Sequence, residues 1–257
     1  MPLAARTVLI TGASRGLGLE MVQQLLKLAT GPELLVATCR DPASATGLQA
    51  LAQAHPQLKI LKLDVESDDD IRAAFLETQS AVGDRGLNLL INNAGIYTNK
   101  QDGGGISKQT RDRLQKHFDA NVTSPLIVIQ TFLPLLQQAA ARDKSQGLSC
   151  SKAAIVNISS TMGSQTITFA HGAGTALDYK CSKTALTMAS ILLSRELKSS
   201  GILVAALHPG WVKTDMGGQA ADLTQEESIQ GCLNVIGSIG EENSGKLINY
   251  KGEVLPY

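Results

Sequence analysis

A chain of 257 residues, 43% hydrophobic and 18% charged, can bury a sizeable core and is too apolar to stay disordered. Its 23 basic and 23 acidic side chains balance, so electrostatics make no case for nucleic acid or an anionic membrane as a partner. Cys39, Cys150, Cys181 and Cys232 form no CxxC pair; they read as free thiols of a reducing cytosol rather than as two disulfides. The start, MPLAARTVLI, has no signal-peptide core. SPLIVIQTFLPLL, the most apolar stretch, is too short to span a bilayer, so a cytoplasmic protein without a membrane partner is expected.

In chain order, RTVLIT (6–11) is a short apolar strand that runs straight into glycine. LGLEMVQQLLKLA (17–29) then has apolar residues at helical spacing. ELLVATCR (33–40) is a second strand, SATGLQALAQA a helix and LKILKLDV (58–65) a third strand. The next helix opens at Ser67, an N-cap followed by acids that suit the positive end of the helix dipole. LNLLINNAG (87–95) is a fourth strand, 109–142 one long helix, and AAIVNIS (153–159) a fifth strand. A long helix over 175–199, a strand ILVAALHPG (202–210), a helix TQEESIQGCLNVIG and a strand GKLINY complete the alternation.

These strands are continuous apolar runs, as parallel strands covered on both faces must be. The pattern predicts one α/β domain over 1–257, with a single doubly wound parallel sheet of about seven strands and helices on both faces. Long loops are expected at 96–108, 143–152, 164–175 and 213–223. All but the second follow a strand's C-terminal end, where open α/β sheets bind ligands.

TGASRGLG (11–18) joins the first strand to the first helix. Gly12 permits the sharp turn, and Gly16 and Gly18 let a pyrophosphate approach the backbone and the helix pack against the strand. The helix N-terminus then offers N–H groups to phosphate. At the end of the second strand, where an acid would bind the ribose hydroxyls of NAD, stands Arg40, and Arg15 lies within the glycine loop. Two guanidinium groups suit a 2′-phosphate, so the expected cofactor is NADP(H). Asp41 either competes for that site or caps the helix after Pro42.

The glycine spacing is TGxxxGxG. With LDV (63–65), NNAG (92–95), Asn121 in DANVTS, a serine ending the fifth strand, YKCSK (179–183) and PGWVKTDM (209–216), it resembles the short-chain dehydrogenase/reductase family. The motifs stand in the family's order over nearly the whole chain. GLNLLINNAG and PGWVKTDMGG are most similar to its carbonyl-reductase branch of C-signal-like and sniffer-like proteins. The resemblance implies a Rossmann-type fold. It implies cofactor binding by Gly12, Ser14, Arg15, Gly16, Leu17 and Gly18, by Arg40, by Asp64 and Val65 beside the adenine, and by Asn92, Ala94 and Gly95 through their backbone. Pro209, Gly210, Val212 and Thr214 would hold the nicotinamide end.

Tyr179 and Lys183 lie four apart, on one face of a helix. Alone, such a pair is more often an exposed helical pair; beside the other motifs it reads as chemistry. An ammonium that close favours phenolate, and with a cationic nicotinamide ring and a desolvated pocket it is expected to lower the Tyr179 pKa by ~2–3 units from the usual ~10. The resemblance makes Tyr179 the general acid of carbonyl reduction and gives Lys183 the nicotinamide ribose as well. Ser159 and Ser160 compete for the substrate oxygen; the family's serine stands three residues before a glycine, and Gly163 selects Ser160. Asn121 would hold a bend or a water linked to Lys183.

The substrate is then a small-molecule carbonyl: a ketone, aldehyde or quinone. An NADP-binding signalling protein of the same fold is the alternative, and a serine–lysine hydrolase lacks the strained GxSxG setting. The 19 residues from Ser160 to Tyr179 exceed the family's usual dozen and predict an extra loop over the pocket. A homo-oligomer, dimer or tetramer, is implied, with a monomer left open because such an insertion can obstruct the dimer contact. Trp211 either walls the pocket or packs, His171 either touches substrate or lies exposed, and His55, His117 and His208 lack metal-ligand spacing, so no metal is expected.

Overall fold

In the structure, a computed structural model, residues 3–98, 103–172 and 174–257 are described. The expected loops 96–108 and 164–175 therefore lie partly outside the described residues, at 99–102 and 173.

The first half alternates as expected: β1 (Thr7–Ile10), α1 (Gly16–Lys27), β2 (Leu34–Cys39), α2 (Thr46–Ala54), β3 (Leu58–Lys62), α3 (Asp68–Val82) and β4 (Leu89–Asn92). Ser67 caps α3 by accepting the Asp70 N–H at 3.2 Å, and three aspartates fill the first turn. After β4 the single long helix expected over 109–142 is instead two, α4 (Arg111–Phe118) and α5 (Ser124–Arg142), joined by a π-helical turn over Asp119–Thr123. Asn121 lies in that turn. Its amide accepts the Ile96 N–H at 2.8 Å and donates to the Ile96 carbonyl at 3.0 Å, so a side chain bonded to a strand-end loop widens the helix there.

The second half holds β5 (Ala154–Ile158), α6 (Gln165–His171), α7 (Leu177–Glu196), β6 (Leu203–His208), α8 (Gln225–Ser238), β7 (Leu247–Asn249) and β8 (Val254–Leu255). Helix α6 falls where only a loop is expected, started by the Ser164 hydroxyl, which accepts the Ile167 N–H at 3.1 Å. Thr224 and Glu227 form a reciprocal capping box at the start of α8.

The sheet has eight strands rather than about seven, in the order β3-β2-β1-β4-β5-β6-β7-β8. All neighbours are parallel except β7 and β8. The two-residue β8 joins the sheet through this antiparallel pairing. Apolar cores lie on both faces: Met21, Leu25, Ile229 and Ile236 on one, Ile71, Ile129, Phe132 and Leu136 on the other. Between β4 and β5, Asn92 donates to Asn157 Oδ1 at 2.9 Å and Asn157 to Ser190 Oγ at 2.9 Å, a buried polar chain across the register pair Asn92–Asn157. The strand order reverses between β1 and β4, which opens a crevice at their C-terminal ends. All four cysteines are free thiols.

Candidate active site

The glycine loop leaves β1 at this crevice. Gly18 lies so close to the strand that an added Cβ would stand 2.4 Å from the Gly12 carbonyl and 2.7 Å from Asn93 Nδ2. Asn93 fixes the loop by donating to the carbonyls of Thr11 (2.9 Å) and Gly12 (3.0 Å). Gly16 is different. It has φ 57, and an added Cβ would meet only Thr214 Cγ2, at 3.9 Å, so its backbone opens on the crevice. Helix α1 begins there with no side-chain cap and no acid in its first turn. An uncapped helix end behind an open backbone is a fit for pyrophosphate. Ser14 and Leu17 are half-buried in the same loop.

Arg40 follows β2 and is exposed. Asp41 does not cap a helix: its carboxylate accepts the Ala43 N–H at 3.0 Å in a local turn, and α2 starts only at Thr46. Arg15 is exposed and pairs with Asp215 at 3.2 Å, a partner not expected from sequence. Asp64 accepts the Glu66 N–H at 3.1 Å, beside half-buried Val65. The Asn92 side chain turns into the sheet, while the Ala94 N–H reaches Thr11 Oγ1 at 3.1 Å. Beyond β6, the Pro209 carbonyl accepts from Ser228 at 2.6 Å, Val212 bridges to Leu223, and Thr214 Oγ1 accepts the Gly217 N–H at 2.9 Å. Trp211 is half-exposed, its indole donating to the Gly217 carbonyl. His171 is exposed at the end of α6.

At the same edge, Asn121, Ser160, Tyr179 and Lys183 are all buried, with exposures of 0%, 7%, 9% and 6%. Gly95 lies beside Asn121 and Lys183: a Cβ there would be 2.9 Å from Asn121 Oδ1 and 3.7 Å from Lys183 Nζ. Asn121 also donates to Ser182 Oγ at 3.0 Å. The serines diverge. Ser159 is bonded to Thr187 Oγ1 at 2.9 Å, inside the protein. Ser160 faces the Tyr179 phenol and accepts the Met162 N–H at 3.1 Å.

In the folded chain by itself the Tyr179 pKa is not lowered. Burial pushes it up to about 12, Tyr97 adds to the rise, and only the hydrogen bond with Ser160 opposes it. Lys183 does not act on the phenol as a close charge. Its Nζ is 5.8 Å from the tyrosine ring centroid and donates to the Ile158 carbonyl at 2.8 Å. Burial lowers the lysine itself to about 8. Desolvation thus wins over Coulomb attraction at both groups, because each loses water that its charged form needs. Tyr179 is held as a protonated phenol, the form that can give a proton.

Tyr97 was not anticipated. Its ring packs edge-on against that of Tyr179, centroids 5.0 Å apart. Its signal is only an aromatic residue just past NNAG. Among the described residues no His, Cys, Asp and Glu cluster could hold a metal, and no helix is long and apolar enough to cross a membrane.

Residues 6–225 match the family model described as short chain dehydrogenase. The chain belongs to the short-chain dehydrogenase family. Among solved members, the NADPH-bound carbonyl reductase from chicken fatty liver is 45% identical, with a TM-score of 0.93 over 99% of this chain and 100% of that one. The carbonyl reductase Sniffer of Drosophila melanogaster is 36% identical, with a TM-score of 0.94 over 98% and 100%. The C-signal protein of Myxococcus xanthus is 35% identical over 66% of this chain and 93% of its own. The chain is thus an oxidoreductase of the short-chain dehydrogenase family by membership, and its Rossmann-type sheet carries the family's motifs along one edge.

Proposed function

We propose that the protein is an NADPH-dependent carbonyl reductase. The observation that carries this reading is the buried Ser160–Tyr179–Lys183 group at the sheet edge, beside a glycine cradle open to the same crevice. The cradle at Gly12, Gly16 and Gly18 would hold the pyrophosphate, Asp64 and Val65 the adenine side, Arg15 and Arg40 a 2′-phosphate, and Pro209 to Thr214 the nicotinamide end. Bound there, the dinucleotide supplies the hydride. The NADPH in the chicken relative supports the same choice.

The chain's own residues do the rest. Ser160 donates a hydrogen bond to the substrate oxygen and stabilises charge that develops on it. Tyr179 delivers the proton to that oxygen, and its raised pKa keeps the proton in place until charge appears. Lys183 orients the nicotinamide ribose and, as an ammonium, stabilises the phenolate left behind. Asn121 holds the Ile96 backbone and the π-helical turn beside it. Tyr97, edge-on to Tyr179, borders the space for a ketone, aldehyde or quinone.

The test is a spectrophotometric NADPH-oxidation assay over a carbonyl panel, run on the parent and Tyr179→Phe. Turnover in the parent and its near-complete loss in the variant, with NADPH still bound, is the expected result. Activity within a few-fold of the parent in Tyr179→Phe would remove the assignment.

A further inference from the structure

The start of α7 is secured in an unusual way. Its N-cap, Ala176, has φ 53, the one non-glycine positive φ among the described residues, and offers no side-chain cap. A left-handed alanine persists only where its surroundings impose it. Here the Ala176 N–H donates to the Gly103 carbonyl at 2.7 Å and the Leu177 N–H to the Gly104 carbonyl at 3.0 Å. The next residue, Asp178, is fully buried, one position before Tyr179. Its Oδ1 accepts the Tyr179 N–H at 2.8 Å. Its Oδ2 accepts from Arg113 Nε of α4 at 2.7 Å and lies 3.3 Å from His117 Nδ1. His117 is itself buried, 3.4 Å from Thr98 Oγ1 in the loop that also carries Tyr97.

A buried ion pair is a poor way to gain stability, since apolar groups of equal volume often do as well. Its worth here is geometric. One carboxylate joins the backbone of Tyr179 to α4, and through His117 to the loop after β4. We infer that Asp178, with Arg113 and His117, is a positioning group that fixes the first turn of α7 and so the place of the Tyr179 phenol in the site. The inference rests on the reading of Tyr179 as proton donor for its kinetic consequence, but not for its structural one.

Two variants separate position from stability. Asp178→Asn keeps an oxygen for the Tyr179 N–H but leaves Arg113 without this charge partner. It should lower Tm by roughly 10 °C yet keep at least about a third of kcat, as a rescue by the conservative residue. The double variant Asp178→Leu/Arg113→Met removes both charges and leaves His117 Nδ1 with the Arg113 carbonyl, 3.0 Å away. It should stay within about 3 °C of the parent Tm but lose about ten- to a hundred-fold in kcat, with NADPH affinity little changed. Hydrogen exchange at Tyr179 and Lys180 should quicken in the double variant, while the middle of α7 stays protected. If kcat falls in step with Tm in both variants, or if exchange in the first turn is unaltered in the double variant, the positioning role is wrong. If exchange behaves as stated but Tyr179→Phe is active, it is the proposed function that fails.

Discussion

Lys183 gives the sharpest quantitative expectation. Burial lowers its pKa from 10.5 to about 8, at an exposure of 6%. Below pH 8 both the folded and unfolded chains carry this proton, and the folded chain bears the whole cost of a buried ammonium. At ~1.4 kcal/mol per tenfold change in proton affinity, that cost is about 3 kcal/mol. Between about pH 8 and 10.5 the unfolded chain still holds a proton that the folded lysine has released, so stability rises with pH. From pH 7 to 9.5 the parent should recover about 2 kcal/mol of it. Lys183→Met removes the titration. It also removes the hydrogen bond to the Ile158 carbonyl, but that loss does not depend on pH in this window. Tyr179 and Cys232, both pushed up to about 12 by burial, are common to the two proteins and cancel. Equilibrium urea unfolding of the cofactor-free proteins at pH 7 and 9.5 measures the double difference. The stability of Lys183→Met relative to the parent should fall by about 2 kcal/mol on going to pH 9.5. A difference that stays constant to within ~0.5 kcal/mol would show that Lys183 is not desolvated as the structure has it.

Ser160→Ala should lower turnover by roughly 10²–10³-fold, as loss of one oxyanion donor does, whereas Ser159→Ala should leave turnover near the parent and cost about 1–3 kcal/mol of stability by stranding Thr187; steady-state kinetics and urea melts of the pair decide. Arg40→Ala should raise the NADPH dissociation constant about ten- to a hundred-fold and leave NADH nearly unchanged, and equal weakening of both nucleotides in a titration would refute the 2′-phosphate role. Gly18→Ala, with its Cβ forced to 2.4 Å from the Gly12 carbonyl, should cost about 1–3 kcal/mol and impair binding of either nucleotide, which melts and titration together would show.

Most of the sheet was legible because β1, β2, β4, β5 and β6 are mostly apolar runs, and β1, β4, β5 and β6 lead into segments that carry glycine. The glycine turn after β1 and the placing of Tyr179 and Lys183 on one helix were legible for a similar reason, since both depend on short-range spacing. What depends on distant partners was not. The two residues of β8 are a strand only because Leu247 and Ile248 pair with them. The helix break at Asn121 is made by Ile96, far away in sequence. Helix α6 has barely two turns and ends at Gly172, so its composition reads as loop. The rise of the Tyr179 pKa in the folded chain has no signal in the sequence, because helical spacing reports proximity and not hydration. Asp178 carries no signal in the sequence, because Arg113 and His117 reach it from α4.

The asparagine chain between β4 and β5 has a consequence for tolerance of error in the sheet. Apolar parallel strands are interchangeable along their length, and a slip of one residue would keep much of their burial. Such a slip would move one strand about 3.3 Å past the other and turn its side chains to the opposite face. The Asn92 amide would then miss Asn157, and the buried hydrogen bond between the two amides would be lost. Since Gly95 continues from one of these strands and Ser160 from the other, this amide contact acts as a vernier. It sets the height of one wall of the crevice against the other, and it makes misaligned sheets poor competitors during folding.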